Sequence, residues 1–148
     1  MRISAKGRYA LAALTYMAQR YKTGENLSIL TIAEELGISK IYLEQVFSLL
    51  KKAELVFSVK GAQGGYQLAC PPEQITVLDI LSAVDLSLFE QTQDTVPDKA
   101  PEIEQALRLS AFTVLDQKIR ETLGGITLAD LVRAAERHKK DGALMFYI

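Results

Sequence analysis

Two short segments of helical apolar periodicity meet across three residues, Gly37-Ile38-Ser39, and no other feature of the chain restricts its fold as much. Ser28 has the chemistry of an N-cap, and Ile29, Ile32, Ala33 and Leu36 behind it repeat on one helical face. Gly37 then supplies the left-handed residue that ends a helix, Ile38 fills the turn, and Ser39 can cap a second helix reaching about Ala53. Two helices joined by a three-residue turn containing glycine form a helix-turn-helix. In the second helix Ile41, Val46, Leu49 and Leu50 are the expected apolar stripe. Lys40, Glu44, Gln45, Ser48, Lys51 and Lys52 place charge, donors and acceptors elsewhere on its surface.

The flanking segments extend this motif. Residues 4–21 carry Tyr9, Leu11, Ala12, Leu14, Tyr16, Met17 and Ala18 with no Pro or Gly after Gly7, which predicts a largely buried first helix. After a loop over 22–27 and the two helices, residues 55–60 read as a strand, 61–65 as a glycine-rich turn and 66–69 as the returning strand of a hairpin, closed by Pro71-Pro72. Thr76-Val-Leu-Asp79 has capping-box spacing and opens another helix through Ile80, Leu81 and Val84. Residues 86–101 read as an exposed loop, followed over 102–123 by the longest helical pattern, with two apolar stripes: Ile103, Leu107, Ala111 and Val114, then Phe112, Leu115, Ile119 and Leu123. One stripe suffices for packing on its own domain, so the other is expected to face a second copy, with Leu107, Ala111, Phe112, Leu115 and Ile119 at the interface. Thr127-Leu-Ala-Asp130 repeats the capping box before a last helix to about His138. The apolar ending 143–148 is expected to dock on something. The expected fold is mainly α with a small β-hairpin wing: a winged helix-turn-helix domain over 1–85, the loop, and a dimerisation helix with a C-terminal helix over 102–148.

Length and composition exclude several classes. At 148 residues the chain is one globular domain, or one small domain with an appendage, and 49% hydrophobic against 24% charged residues describes a packed core rather than disorder. No apolar run is long enough to span a bilayer and no secretory signal opens the chain, which places it in the cytoplasm with no membrane partner. One cysteine, Cys70, and one histidine, His138, provide too few soft ligands for a closed zinc or iron-sulfur site, so no metal and no cofactor is expected. Cys70 reads as a small, partly buried residue at a strand end or as a redox-sensing thiol. His138 reads as a surface or helix-dipole partner or as a ligand. No Ser or Cys is paired with a histidine and no carboxylate pair is evident, so an enzyme is not expected. The net charge of −1 hides an asymmetry. Residues 1–66 hold nine Lys or Arg against five Asp or Glu, a balance of +4, and residues 67–148 hold eight against thirteen, a balance of −5. A basic head on an acidic body suits binding of a polyanion.

The order helix, helix-turn-helix, hairpin is that of a winged helix-turn-helix, whose second motif helix enters the major groove while the hairpin reaches phosphates or the adjoining minor groove. Ser39, Lys40, Tyr42, Glu44 and Gln45 occupy the exposed first half of that helix, with Lys51 further along. Gln can bond adenine through two contacts, Glu can accept from the cytosine amino group, and Lys and Tyr suit phosphate or guanine. The alternative is a set of solvated helix residues. In the hairpin, Lys60, Gly61, Gln63, Gly64, Gly65 and Tyr66 set a cation beside glycines whose amides can approach an anion closely. Lys6 and Arg8 at the start of the first helix add phosphate-binding candidates. A winged helix used only for protein contact is the competing reading, separable by salt-sensitive binding to duplex DNA.

Ser4, Lys6-Gly7-Arg8-Tyr9, Gly37-Ile38-Ser39, Tyr42-Leu43-Glu44-Gln45, Leu55-Val56, Gly61, Gly64-Gly65-Tyr66, Ala83-Val84-Asp85 and Thr127-Leu128 appear in order over nearly the whole chain. In this the chain resembles the winged helix-turn-helix repressors that include the iron-sulfur regulator IscR and the cysteine-metabolism repressor CymR. The resemblance implies a homodimer held by a long C-terminal helix and bound to a palindromic operator in double-stranded DNA, and it adds Ser4 and Tyr9 to the DNA-binding candidates. It also points to genes of cysteine, sulfur or iron-sulfur metabolism. The iron-sulfur members carry three cysteines in the loop after Ala-Val-Asp. Here that loop has none, so a cluster is not expected. The ending 145–148 resembles the cysteine-metabolism branch, which implies a regulatory partner enzyme of cysteine synthesis.

Overall fold

The computed structural model describes residues 2–147, and the side chains of residues 2–142. Helix α1 (Ala5–Gln19) begins at Ser4, whose hydroxyl accepts from the Gly7 N–H. Its buried face, including Ala10, Ala13, Leu14 and Met17, forms the floor of the domain. Helices α2 (Ile29–Leu36) and α3 (Lys40–Lys52) are capped by the Ser28 and Ser39 hydroxyls, and Gly37 between them takes the left-handed conformation at φ 65°. The helix-turn-helix is therefore assembled from the local signals that suggested it.

The face of α3 turned to the core is Leu43, Val46, Phe47 and Leu50, a spacing of three, four and seven residues. Ile41 does not belong to it. The expected stripe beginning at Ile41 is corrected here: that side chain is 70% exposed, two residues out of phase with Leu43 at the first turn of the helix. Strands β1 (Val56–Val59) and β2 (Gly65–Leu68) pair antiparallel with Val56 opposite Leu68 and Val59 opposite Gly65. The preceding loop is not idle. Leu27 bridges Tyr66, with the Leu27 N–H donating to the Tyr66 carbonyl at 3.0 Å and the Tyr66 N–H to Leu27 at 2.7 Å, and this fastens the hairpin to the start of α2.

Helix α4 (Val77–Val84) has both arms of its capping box, Thr76 N–H to Asp79 at 2.9 Å and Asp79 N–H to Thr76 at 3.1 Å. Thr127 and Asp130 make the same pair of bonds at the start of α7 (Leu128–Tyr147). The two starts are joined, since Val77 donates to Ile126 at 2.8 Å and Leu128 to Ile75 at 2.9 Å. Leu128 is fully buried in the main core beside α1, so the first turns of α7 pack on the winged domain although they lie far along the chain. Helix α7 also runs past the expected end at His138 to Tyr147. His138 is thus an exposed mid-helix residue rather than a partner of the C-terminal dipole. The tail reading for 143–148 falls outside the described side chains.

Between α4 and α7 the chain passes through the loop and a long helix. The helix starts one residue earlier than expected, with Pro101 at its first turn, where the missing N–H costs nothing. It runs as α5 (Pro101–Leu107), a π-helical turn (Arg108–Phe112) and α6 (Thr113–Gly124). The expectation of an uninterrupted helix is corrected by this turn. Its extra residue shifts the register of α6 against α5, so a stripe counted from Ile103 to Val114 does not stay on one face. Leu123 and Ile119 pack on Val77 and Leu81, while Ile103, Leu109, Val114 and Leu115 stand exposed. The loop itself is tied down. The buried Glu104 carboxylate accepts from the amides of Thr95 and Val96, and Arg108 pairs with Asp94.

Candidate nucleic-acid interface

The residues singled out on α3 fall into two groups. Ser39, Lys40, Glu44, Gln45 and Lys51 are exposed, together with Ser48 and Lys52. Lys40 and Glu44 face each other one turn apart at 3.8 Å, a half-exposed pair that loosens readily when either group finds another partner. Tyr42 is half-buried and meets Tyr9 of α1 edge to face, ring centres 5.0 Å apart and planes at 84°. That contact sets the angle between α1 and α3, so Tyr9 and Tyr42 act first in packing.

The hairpin stands beside α3. Tyr66 lies against Phe47 with ring centres 4.9 Å apart and contributes to a groove lined by Ile29, Glu44, Ser48, Lys51 and Lys52. A second, continuous hollow runs from Ser28, Ile29 and Leu30 past Lys40 to Ser58, Lys60, Gly61 and Gly64. Two hollows that share Ile29 and Tyr66 thus lie between helix and wing, one bearing Lys51 and Lys52 and the other Lys40 and Lys60. The glycines are required by geometry. Gly61 has φ +114°, and a Cβ on Gly64 would lie 2.3 Å from the Val59 carbonyl oxygen. Gln63 lies exposed at the tip, where its carbonyl accepts from the Asn26 side chain at 3.0 Å. Ser28 and Leu30 at the start of α2, not singled out as site residues from the sequence, also line the second hollow. Their signal was present in the Ser28 cap, whose hydroxyl also lies 2.9 Å from that of Thr31.

The start of α1 is positioned from a distance. Asp85, just past α4 and only 2% exposed, accepts from the Ser4 N–H at 2.9 Å and from the Ser87 hydroxyl at 3.0 Å. Burial pushes its carboxyl up, but the backbone and side chain of Ser4, with Ser87 and Leu88, outweigh it and hold the pKa below the ordinary value. Gly7 allows this approach, since a Cβ there would lie 2.9 Å from Ile3 and Leu81 and 3.0 Å from the Asp85 carboxylate. Ser4 is thus a capping and anchoring residue, Lys6 is half-buried and Arg8 is exposed on the same first turns.

Of the expected interface residues on the long helix, Ala111 and Leu115 are exposed, Leu107 and Phe112 are half-buried, and Ile119 packs against its own chain's Val77, Leu81 and Leu123. Cys70 is partly buried against the main core. No helix among the described residues is long and apolar enough to cross a membrane.

The chain matches the family model Rrf2, described as an iron-dependent transcriptional regulator, over residues 3–134. It is similar to the HTH-type transcriptional regulator IscR of Aliivibrio salmonicida, 35% identical with 97% of this chain and 88% of the relative covered. It is also 35% identical to the HTH-type transcriptional regulator CymR of Bacillus subtilis, with both chains covered in full. Among solved structures it resembles T. potens IscR, with a TM-score of 0.73, 36% identity and coverage of 93% of this chain and 90% of that one. The loop after Asp85 lacks cysteine, and among the described residues no three His, Cys, Asp or Glu side chains gather to hold a metal ion. The fold, the wing and the exposed helix are those of DNA-binding transcriptional regulators rather than enzymes, and the chain belongs to the Rrf2 family.

Proposed function

We propose that the chain is a sequence-specific repressor that binds a palindromic operator as a homodimer. The observation that carries this is the exposed start of α3, with Ser39, Glu44 and Gln45, beside two hollows between helix and wing that bear Lys40, Lys51 and Lys60 and reach the glycine tip. In this reading Glu44 and Gln45 read base edges, while Lys6, Arg8, Lys51, Lys60 and the amides of Gly61, Gly64 and Gly65 hold phosphates. Tyr9, Tyr42 and Tyr66 fix the angle between the reading helix, α1 and the wing, and Ser4 fixes the start of α1. Dimerisation through the long helix places two copies of α3 on half-sites about 34 Å apart.

The resemblance to IscR and CymR supports genes of cysteine, sulfur or iron-sulfur metabolism as targets, and a partner enzyme of cysteine synthesis as the signal carrier. Selection of bound fragments from genomic DNA tests the whole reading. It expects one palindromic motif, with affinity falling steeply as salt rises. Recovery of no motif, or binding indifferent to salt, would leave the protein-contact use of the wing as the better account.

A further inference from the structure

We infer that Ile41 is a specificity-determining residue that selects thymine through its C5 methyl group. The inference rests on the proposed entry of α3 into the major groove. A single exposed apolar residue carries no meaning by itself. The place of Ile41 does. The packing of α3 on the core is complete without it, through Leu43, Val46, Phe47 and Leu50, and Ile41 is left 70% exposed on the second residue of the helix. That is the end of a reading helix that approaches base edges.

Its neighbours sharpen the role. Lys40 and Glu44 pair with each other, 3.8 Å apart along one row of the helix. The adjacent row, also one turn apart, consists of Ile41 and Gln45, both exposed. Gln45 has the amide that pairs with N6 and N7 of adenine, and thymine is the one base that offers an apolar group to the major groove. Isoleucine, stiff at its branched Cβ, presents a fixed apolar surface to that methyl without ordering a flexible chain. The two residues differ by about 6 Å along the helix axis, and base pairs repeat about every 3.4 Å, so the thymine lies within about two base pairs of the position read by Gln45.

The test uses the full chain and a duplex selected by it from a random pool. Each thymine is replaced in turn by deoxyuridine, which removes the C5 methyl and nothing else. The wild type is expected to lose about fourfold in affinity at one thymine per half-site, the factor for withdrawing one methyl group from contact. Ile41→Ala is expected to bind the thymine and uracil duplexes equally, Ile41→Val to retain part of the difference, and both variants to melt as the wild type does. A wild type indifferent to every replacement, a variant as sensitive as the wild type, or a selected motif without thymine near the Gln45 position overturns this inference alone. A pool from which nothing is enriched overturns it together with the DNA-binding reading.

Discussion

In the proposed function Gln45 reads a base and Lys60 holds a phosphate, and their substitutions should separate cleanly. Gln45 is exposed on the reading helix, free to turn its amide toward a base edge. Gln45→Ala is expected to weaken the selected operator by about 1 to 3 kcal/mol and to relax preference at one position per half-site, measured by anisotropy titrations over single-base variants. Equal loss on operator and random DNA would remove Gln45 from base reading. Lys60 stands exposed where β1 meets the glycine tip. Lys60→Ala should weaken all sequences alike and lower the slope of log affinity against log salt by about one unit, and an unchanged slope would count against a phosphate contact.

At the scale of elements, the bond from Ser4 to Asp85 couples the first turn of α1, with Lys6 and Arg8, to the end of α4. Because the folded carboxyl has a lowered pKa, its contribution is full above the unfolded value of about 4 and is lost as pH falls through the lower folded value. Urea unfolding at pH 7, 5 and 3 should therefore show Asp85→Asn losing less stability on acidification than the wild type. At pH 7 Asp85→Ala should cost about 2 kcal/mol. Identical pH profiles would show that the link does not contribute. This bond joins residues 81 positions apart, which is why no local pattern announced it. The caps at Ser28, Ser39, Thr76 and Thr127 and the turn at Gly37 were legible because each is decided within four residues. Ile41 was misassigned because a helix's first turn has apolar neighbours on one side only, so its phase is poorly determined. The π-helical turn at Arg108–Phe112 has no residue signature comparable to proline or glycine, and the packing roles of Tyr9, Tyr42 and Tyr66 depend on which helix lies opposite.

For the whole molecule, the long helix supplies the test of assembly. Ile119 packs within its own chain, so charging it would unfold α6 from α4, whereas Leu115 is 61% exposed and can be changed without disturbing the single chain. Leu115→Glu is expected to leave the melting of the monomer intact and to shift the sedimentation equilibrium from two chains toward one, because an unpaired charge at a closed apolar interface is strongly unfavourable. An unaltered dimer would place the contact elsewhere. The proposed joint action of two copies of α3 on one symmetric site is measured by titrating the wild type against the selected palindrome and against a duplex carrying a single half-site. Two chains per palindrome are expected, with an affinity at least roughly a hundredfold above that for the half-site, the gain from joining two binding events. One chain per duplex, with equal affinity for palindrome and half-site, would contradict it.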